Sequence, residues 1–477
     1  MAHESSAGAR SRAGSREAAL SSAAPTIAAI ATPAGRGGVG VVRISGANLD
    51  RFIETIVAKT LVPRRATFAT FRDERGAPID TGLALLFPAP HSYTGETVLE
   101  LHGHGSPAAL RMLLARCVAL GARIAEPGEF TKRAFLNGKL DLAQAESVAD
   151  LIEAATAAAA RAAARSLVGD FSRDVQAIVD AVTEVRMYTE ASLDFPDEDV
   201  DFLRANDTAR KLDAVRARLD QMLARASTGA LLREGLTIAL IGRPNVGKSS
   251  LLNRLARDDV AIVTPTPGTT RDTVERRVEI SGIPLTIIDT AGLRETTEEV
   301  ERLGIERTWS AIGRADIALV IVDARDAVEH LHADDARLIA KLPITLPRVI
   351  VHNKSDLVVA PSHADNRTVD GVSYRHVWIS ALTGDGVDVL EREMLAFVGA
   401  QSATEDTFLA RERHVVALRD AAQHASVAAM HLSMASPPLE LFAEELREAQ
   451  QSLTSITGEF TADDLLGAIF SRFCIGK

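Results

Sequence analysis

The sequence predicts a multidomain protein that joins α/β and all-α architecture. A doubly wound, mostly parallel sheet is expected between two helical stretches, with an α+β domain in front of them. Three observations carry this expectation. Apolar strands alternate with helical segments from Leu236 to Val398. Strand signals largely vanish from Leu140 to about Gln221, and helical texture returns after Thr407. Short β-branched runs alternate with helical stretches and Gly/Pro turns between Thr26 and Phe130. At roughly 150 residues per domain, a chain of 477 residues accommodates about three domains.

Composition narrows the class. With 46% hydrophobic and 25% charged residues the chain has the balance of a globular protein with a real core. The 4% aromatic content argues against nucleic-acid reading by rows of stacking rings. A net charge of −11 argues against a generic polyanion binder. Two cysteines, Cys117 and Cys474, exclude a disulfide scaffold and fit a reducing, cytoplasmic setting. No apolar run approaches the roughly 20 residues that cross a bilayer.

Each element follows in order. Residues 1–24 are rich in Ala, Ser, Gly and Arg without periodicity and read as a disordered tail. The next domain, 25–139, opens with strands at Thr26–Ile30 and Val39–Ile44. Between them, Gly35 to Gly40 fits a dinucleotide-binding glycine pattern. A β-branched run follows where that motif needs a helix, so the glycines are expected in a turn. Leu110–Leu120 reads as an apolar helix with Cys117 in the core. His102 and His104 alternate on a strand and lack further metal ligands. Residues 140–235 form the first helical part. Ala154–Ala164 there is almost all alanine, and Phe195-Pro196-Asp197 breaks the helices. Strands Leu236–Ile241, Leu285–Ile288, Ile317–Val322, Val349–Val351 and His376–Ile379 build the doubly wound domain, 236–398. Helical residues 399–477 close the chain.

Four ordered motifs give the middle domain its chemistry. Gly242-Arg243-Pro244-Asn245-Val246-Gly247-Lys248-Ser249 matches the P-loop, between a strand and a helix. Its amides can cradle phosphates, Lys248 can reach the β- and γ-phosphates, and Ser249 can bind Mg2+. Asp289-Thr290-Ala291-Gly292 closes a strand, placing Asp289 for the Mg2+ shell and the Gly292 amide for the γ-phosphate. Asn353-Lys354-Ser355-Asp356 ends a later strand, and the Asp356 carboxylate can accept two N–H bonds from a guanine edge. Ser380-Ala381-Leu382 can offer the Ala381 amide to the guanine carbonyl. Together they define a P-loop GTPase domain, with Ser250 completing the loop contacts.

Leu236–Val398 resembles the translation-factor-like GTPases. Gly268-Thr269-Thr270-Arg271-Asp272 resembles their first switch, with Thr270 as second Mg2+ ligand. Leu293 stands where Ras-like enzymes place a water-orienting Gln. Another device is therefore expected. Asn245, the fourth P-loop residue, can hold a monovalent cation where an arginine finger would stand.

The flanks identify a narrower family. Ala31 to Gly40, Ser92 to Glu96, Pro127 to Thr131, Ala134 to Asp141, Asp194 to Glu198 and Phe473 to Lys477 resemble the tRNA modification GTPase family, MnmE or TrmE. The resemblance runs from about Pro25 to Lys477. It implies an N-terminal folate-binding and dimerising domain, and a GTPase domain inserted in a helical one. It also implies a K+-stimulated GTPase and homodimer working with the flavoprotein MnmG, as a heterotetramer with a dimer of each. The reaction implied is modification of carbon 5 of wobble uridine in tRNA, with a 5-formyl- or methylene-tetrahydrofolate as one-carbon source. By motif position it assigns folate contacts to Arg43, Glu100, Lys139 and Lys477. The cation loop includes Thr264, Thr266 and Thr269, interrupted by Pro265 and Pro267 and followed by Gly268. Glu301 matches the water-positioning glutamate. Cys474 is either a simple thiol or a redox or covalent group. A reading from another class, a ribosome-assembly RNA-binding GTPase, shares the nucleotide motifs. It needs an RNA-binding module such as a KH domain or a second G domain, and neither is legible.

Overall fold

The computed structural model describes residues 24–194, 205–258, 275–289, 312–326, 332–358, 363–369, 372–397, 407–458, 463–471, 473, 474 and 476. These fall into two compact units, Met1–Ala149 with Thr457–Lys477, and Asp150–Ile456.

The first unit is built on six strands: β1 (Ile27–Ile30), β2 (Gly37–Gly46), β3 (Thr67–Arg72), β4 (Pro78–Phe87), β5 (Thr97–Gly105) and β6 (Arg123–Ile124), ordered β3-β4-β5-β2-β1-β6. Among the described residues of this unit, only the short β1–β6 pairing is parallel. Val42, Ile44, Leu99, Leu101 and Phe71 pack against Leu110, Leu113 and Cys117 of helix Pro107–Ala119. That helix starts at Pro107, earlier than the expected Leu110, because Ser106 serves as N-cap and Pro107 suits the first turn. The glycine run enters a strand, not a helix: β2 begins at Gly37. A Cβ on Gly40 would lie 2.5 Å from Leu110, so the missing side chain lets the helix seat on the sheet. Leu142 and Ala145 join Leu466, Ile469, Phe470 and Phe473 in a smaller core, which ties the carboxyl-terminal residues to this unit.

The second unit holds the doubly wound sheet: β7 (Leu236–Ile241), β8 (Glu275–Ile280), β9 (Ile283–Asp289), β10 (Ile317–Asp323), β11 (Arg348–Asn353), β12 (Ala364–Val369) and β13 (Val372–Trp378). Their order is β12-β13-β11-β10-β7-β9-β8. The five expected strands pair in parallel. β8 and β12 are antiparallel edges, which the strand pattern did not reveal. Both faces are covered, so the central strands are apolar throughout. Ile238 and Leu240 pack with Leu251, Leu255, Leu390 and Met394 on one face. Ala239, Ile241 and Val320 pack with Ile312, Ile339 and Leu346 on the other.

Helices Ala157–Leu167, Asp170–Asp194, Ala205–Glu234, Glu412–Leu432 and Leu439–Thr457 make up the helical part. The alanine-rich helix starts later than its composition suggests. Thr156 caps it, accepting from Ala159 N at 3.0 Å while donating to Gly282 O at 2.9 Å. Phe171 stacks on Phe408 at 4.5 Å, and Arg225 lies over the same ring at 4.7 Å. A Cβ on Gly229, within helix Ala205–Glu234, would meet Phe408 O at 2.1 Å, so the later segment packs directly on helix backbone. The break at Phe195-Pro196-Asp197 lies outside the described residues.

Candidate functional site

The nucleotide motifs converge on the carboxyl ends of β7, β9, β10, β11 and β13, the edge where doubly wound sheets bind ligands. β7 delivers the chain at Ile241 into the glycine loop, and helix Lys248–Asp258 leaves it. Three backbone positions shape the loop. Gly242 (φ +151°) has no room for a side chain, since a Cβ would sit 2.3 Å from Ile321 O. Gly247 (φ +101°) would likewise strike Asn353 Nδ2 at 2.1 Å. Asn245 takes a left-handed φ of 64° without being glycine. Amides at the mouth of such a loop, ahead of a helix N-terminus, suit phosphate oxygens.

Lys248 Nζ donates to Gly242 O at 2.6 Å and to Arg243 O at 3.0 Å, so the ammonium lies within the loop. Ser249 and Ser250 are exposed at the helix start. Asp289 ends β9 opposite Leu240 of β7.

Asn353 joins three motifs. Its Nδ2 donates to Val246 O of the glycine loop at 2.8 Å, and its Oδ1 accepts from Ala381 N at 2.9 Å. Lys354, in a left-handed turn, donates to Asn245 O at 2.8 Å and pairs with Asp323 at 2.7 Å. Arg325 and Lys354 hold the Asp323 carboxyl well below the usual carboxylate range. Asp356 is exposed; Ser380 Oγ donates to its Oδ1 at 2.6 Å. Arg254 Nε donates to Ala381 O at 3.3 Å and fixes that turn, with Leu382 exposed beside it. The sequence reasoning missed Asp323 and Arg254. An acid closing an all-apolar strand at the ligand edge is the signal that would have found Asp323.

Thr264, Pro265, Thr266, Pro267, Gly268, Thr269, Thr270, Thr290, Ala291, Gly292, Leu293, Glu301 and Lys477 lie outside the described residues.

In the first unit, Arg43 and Glu100 face each other across β2 and β5. Arg43 Nε donates to Glu100 Oε1 at 2.8 Å, and its NH1 to Gly476 O at 3.3 Å. The guanidinium lies 5.5 Å from the Tyr93 ring and 5.7 Å from that of Phe130. Glu100 Oε2 lies 3.1 Å from His102 Nε2, and this hydrogen bond, followed by Arg43, keeps the carboxyl below its ordinary range despite burial. Burial raises Tyr93, whose hydroxyl meets Thr131 Oγ1 at 2.8 Å. Gly128 N donates to Cys474 O at 3.3 Å, and a Cβ on Gly476 would lie 2.4 Å from Ile30 O, so the chain end is seated closely. Lys139 is exposed. Cys474 is exposed, whereas Cys117 is buried and pushed up to about 12. His104 pairs with Asp80, and no metal-ligating cluster occurs among the described residues.

A glycine loop at the switch point of a doubly wound, mostly parallel sheet, with a guanine-type Asn-Lys-x-Asp element beside it, defines a P-loop GTPase. Comparison with known proteins reaches beyond this domain to most of the chain. The family model described as the MnmE helical domain matches residues 142–474, and that of the GTP-binding protein TrmE N-terminus matches 26–139. The chain is similar to tRNA modification GTPase MnmE of Ralstonia nicotianae, 56% identical over 462 residues, covering 94% of this chain and 96% of that one. The same protein from Cupriavidus pinatubonensis is 57% identical over 472 residues, covering 95% and 99%. Among solved structures, Aquifex aeolicus Era aligns over 42% of this chain and 69% of its own at 25% identity, with a TM-score of 0.26, too low to bear on the fold. The chain belongs to the tRNA modification GTPase MnmE family. It is a GTP hydrolase of tRNA modification, and as a GTPase it uses nucleotide with Mg2+. Among the described residues, no helix is long and apolar enough to cross a membrane.

Proposed function

We propose that this chain is a K+-stimulated GTPase that acts with the flavoprotein MnmG on carbon 5 of wobble uridine in tRNA, producing a carboxymethylaminomethyl- or aminomethyl-type group. A tetrahydrofolate derivative supplies the one-carbon unit. The observation that carries this reading is family membership across both the N-terminal and the helical segments, beyond the GTPase domain alone. The functional division is 25–139 for folate binding and dimerisation, 236–398 for GTP, and 140–235 with 399–477 for the helical frame. The assembly is a homodimer that joins a MnmG dimer in the cytoplasm.

Among the described residues, Lys248, Asp356, Arg43 and Glu100 support the groups assigned to them. Gly242 and Gly247 leave no room for side chains in the loop, and Lys248 Nζ donates to Gly242 O within it. Lys248 would neutralise phosphate charge, and Ser249 and Thr270 would hold Mg2+, which supplies charge neutralisation for the phosphates. Asp289 orients that shell, with Thr290, Ala291 and Gly292 at the γ-phosphate. Asp356 reads guanine and Ser380 holds its carboxylate still. Asn245, Thr264, Thr266 and Thr269 hold K+, and Glu301 positions the attacking water. In the first unit an ionised carboxylate held by a guanidinium suits the N–H donors of an aminopyrimidinone edge. Arg43, Glu100, Lys139 and Lys477 are the folate set that the family resemblance assigns by motif position, and Cys474 is the neighbouring candidate for redox or covalent chemistry.

The test is nucleoside analysis of tRNA from cells lacking the protein. Unmodified wobble uridine is expected. Normal tRNA with defective ribosomal subunits would sink this reading and favour a ribosome-assembly GTPase.

A further inference from the structure

We propose that Asp335, acting through Arg243, is a positioning residue of the phosphate-binding loop. This rests on the reading of Gly242–Ser249 as the nucleotide site. Arg243 is the second residue of that loop, and its guanidinium is engaged within the protein. Its Nε donates to Asp335 Oδ2 at 2.8 Å and its NH2 donates to Asp326. Asp335 lies on helix Ala333–Ala340 with its side chain only 1% exposed. Its second oxygen has no hydrogen-bond partner among the described residues. A buried carboxylate satisfied on one side only depends on the guanidinium that faces it, and loss of either member leaves an uncompensated charge.

The same arginine meets the reacting region through its backbone. Arg243 O accepts from Lys248 Nζ at 3.0 Å. The residue that the acids hold by its side chain thus helps to place the phosphate-binding ammonium. The other limb of the loop is held symmetrically. Asn245 O accepts from Lys354, and Lys354 pairs with Asp323. Asp323 and Asp326 belong to one turn, closed by Asp326 N donating to Asp323 O at 2.9 Å. That turn after β10 therefore grips both limbs. A loop with a left-handed Asn245 and two glycines keeps its shape only when its surroundings impose it. Phosphate affinity follows from how well its amides stay aligned.

The experiment uses the full-length protein, equilibrium binding of GDP and GTP, and thermal melting without nucleotide. Asp335→Asn and Arg243→Gln are each expected to raise both dissociation constants about tenfold, and the double variant no further than the worse single one. Effects that multiply in the double variant would overturn the proposal. So would a lower melting temperature with unchanged nucleotide affinity, the mark of a merely structural pair. Should Asp335→Asn fail to fold, Asp326→Asn at the partly exposed partner must still weaken binding, by a few-fold; unchanged affinity there overturns the proposal as well. Lys248→Ala separates the two levels. If that variant binds nucleotide normally, the loop reading itself has failed. If it loses binding while Asp335→Asn keeps it, only the present inference has failed.

Discussion

Acid should weaken the second unit through two buried imidazoles under the nucleotide site. His352 lies in β11 just before its last residue, Asn353, and its Nε2 lies 2.8 Å from His376 Nδ1 on β13. The pair is 2% and 0% exposed. Trp378 stacks on His352 at 4.4 Å and on His363 at 4.2 Å, with Arg367 over its ring. Burial, then the neighbouring ring and Arg367, push His352 down to about 3, and burial pushes His376 down to about 4. Between these values and 6.5 the unfolded chain binds protons that the folded one does not. Stability is therefore full above about pH 6.5 and falls as pH drops below it. At about 1.4 kcal/mol per pH unit per group, each ring costs about 2 kcal/mol at pH 5.

His376→Gln removes one titrating ring and keeps a hydrogen-bonding amide near His352. The slope of unfolding free energy against pH, below pH 6, should fall by about 1.4 kcal/mol per unit, the share of one proton. Urea titrations read by Trp378 fluorescence, in a Trp309→Phe background, measure it. Equal slopes in parent and variant would refute the argument. Because Asn353 holds both the glycine loop and Ala381, GTP binding should fade over the same pH range.

Three further outcomes are expected. Asp356→Asn should weaken GTP binding by about 1–3 kcal/mol and favour xanthosine triphosphate, whose altered edge complements an amide; unchanged GTP affinity in a binding titration would remove the assignment. Hydrolysis should be fast in K+ and slow in Na+, and Asn245→Ala should abolish that difference with binding largely kept; equal initial rates in both salts for the parent would count against the cation. Glu301→Ala should slow hydrolysis by about 10²–10⁴-fold with GTP affinity retained, and near-native rates in Glu298→Ala and Glu299→Ala provide the contrast. Similar rates in all three variants would place the water elsewhere.

Local signals determined much of this protein. The spacing of glycines, Lys248 and Ser249, and the apolar strands that precede each motif, specify a P-loop in a doubly wound sheet because turn chemistry and side-chain period are properties of a few consecutive residues. The five parallel strands were legible because strands buried on both faces must be apolar throughout. The antiparallel edges were not: β8 is Glu-Arg-Arg-Val-Glu-Ile, with Arg276 and Arg277 exposed at the sheet margin. Tertiary structure alone decided which charges meet. Arg243 finds Asp335, Lys354 finds Asp323, and Arg43 reaches Gly476 O across 433 residues. No local pattern encodes such partners. They follow from crossover topology, which brings the carboxyl ends of separate strands to one edge, and from chain packing that seats Gly476 where a side chain would strike Ile30 O.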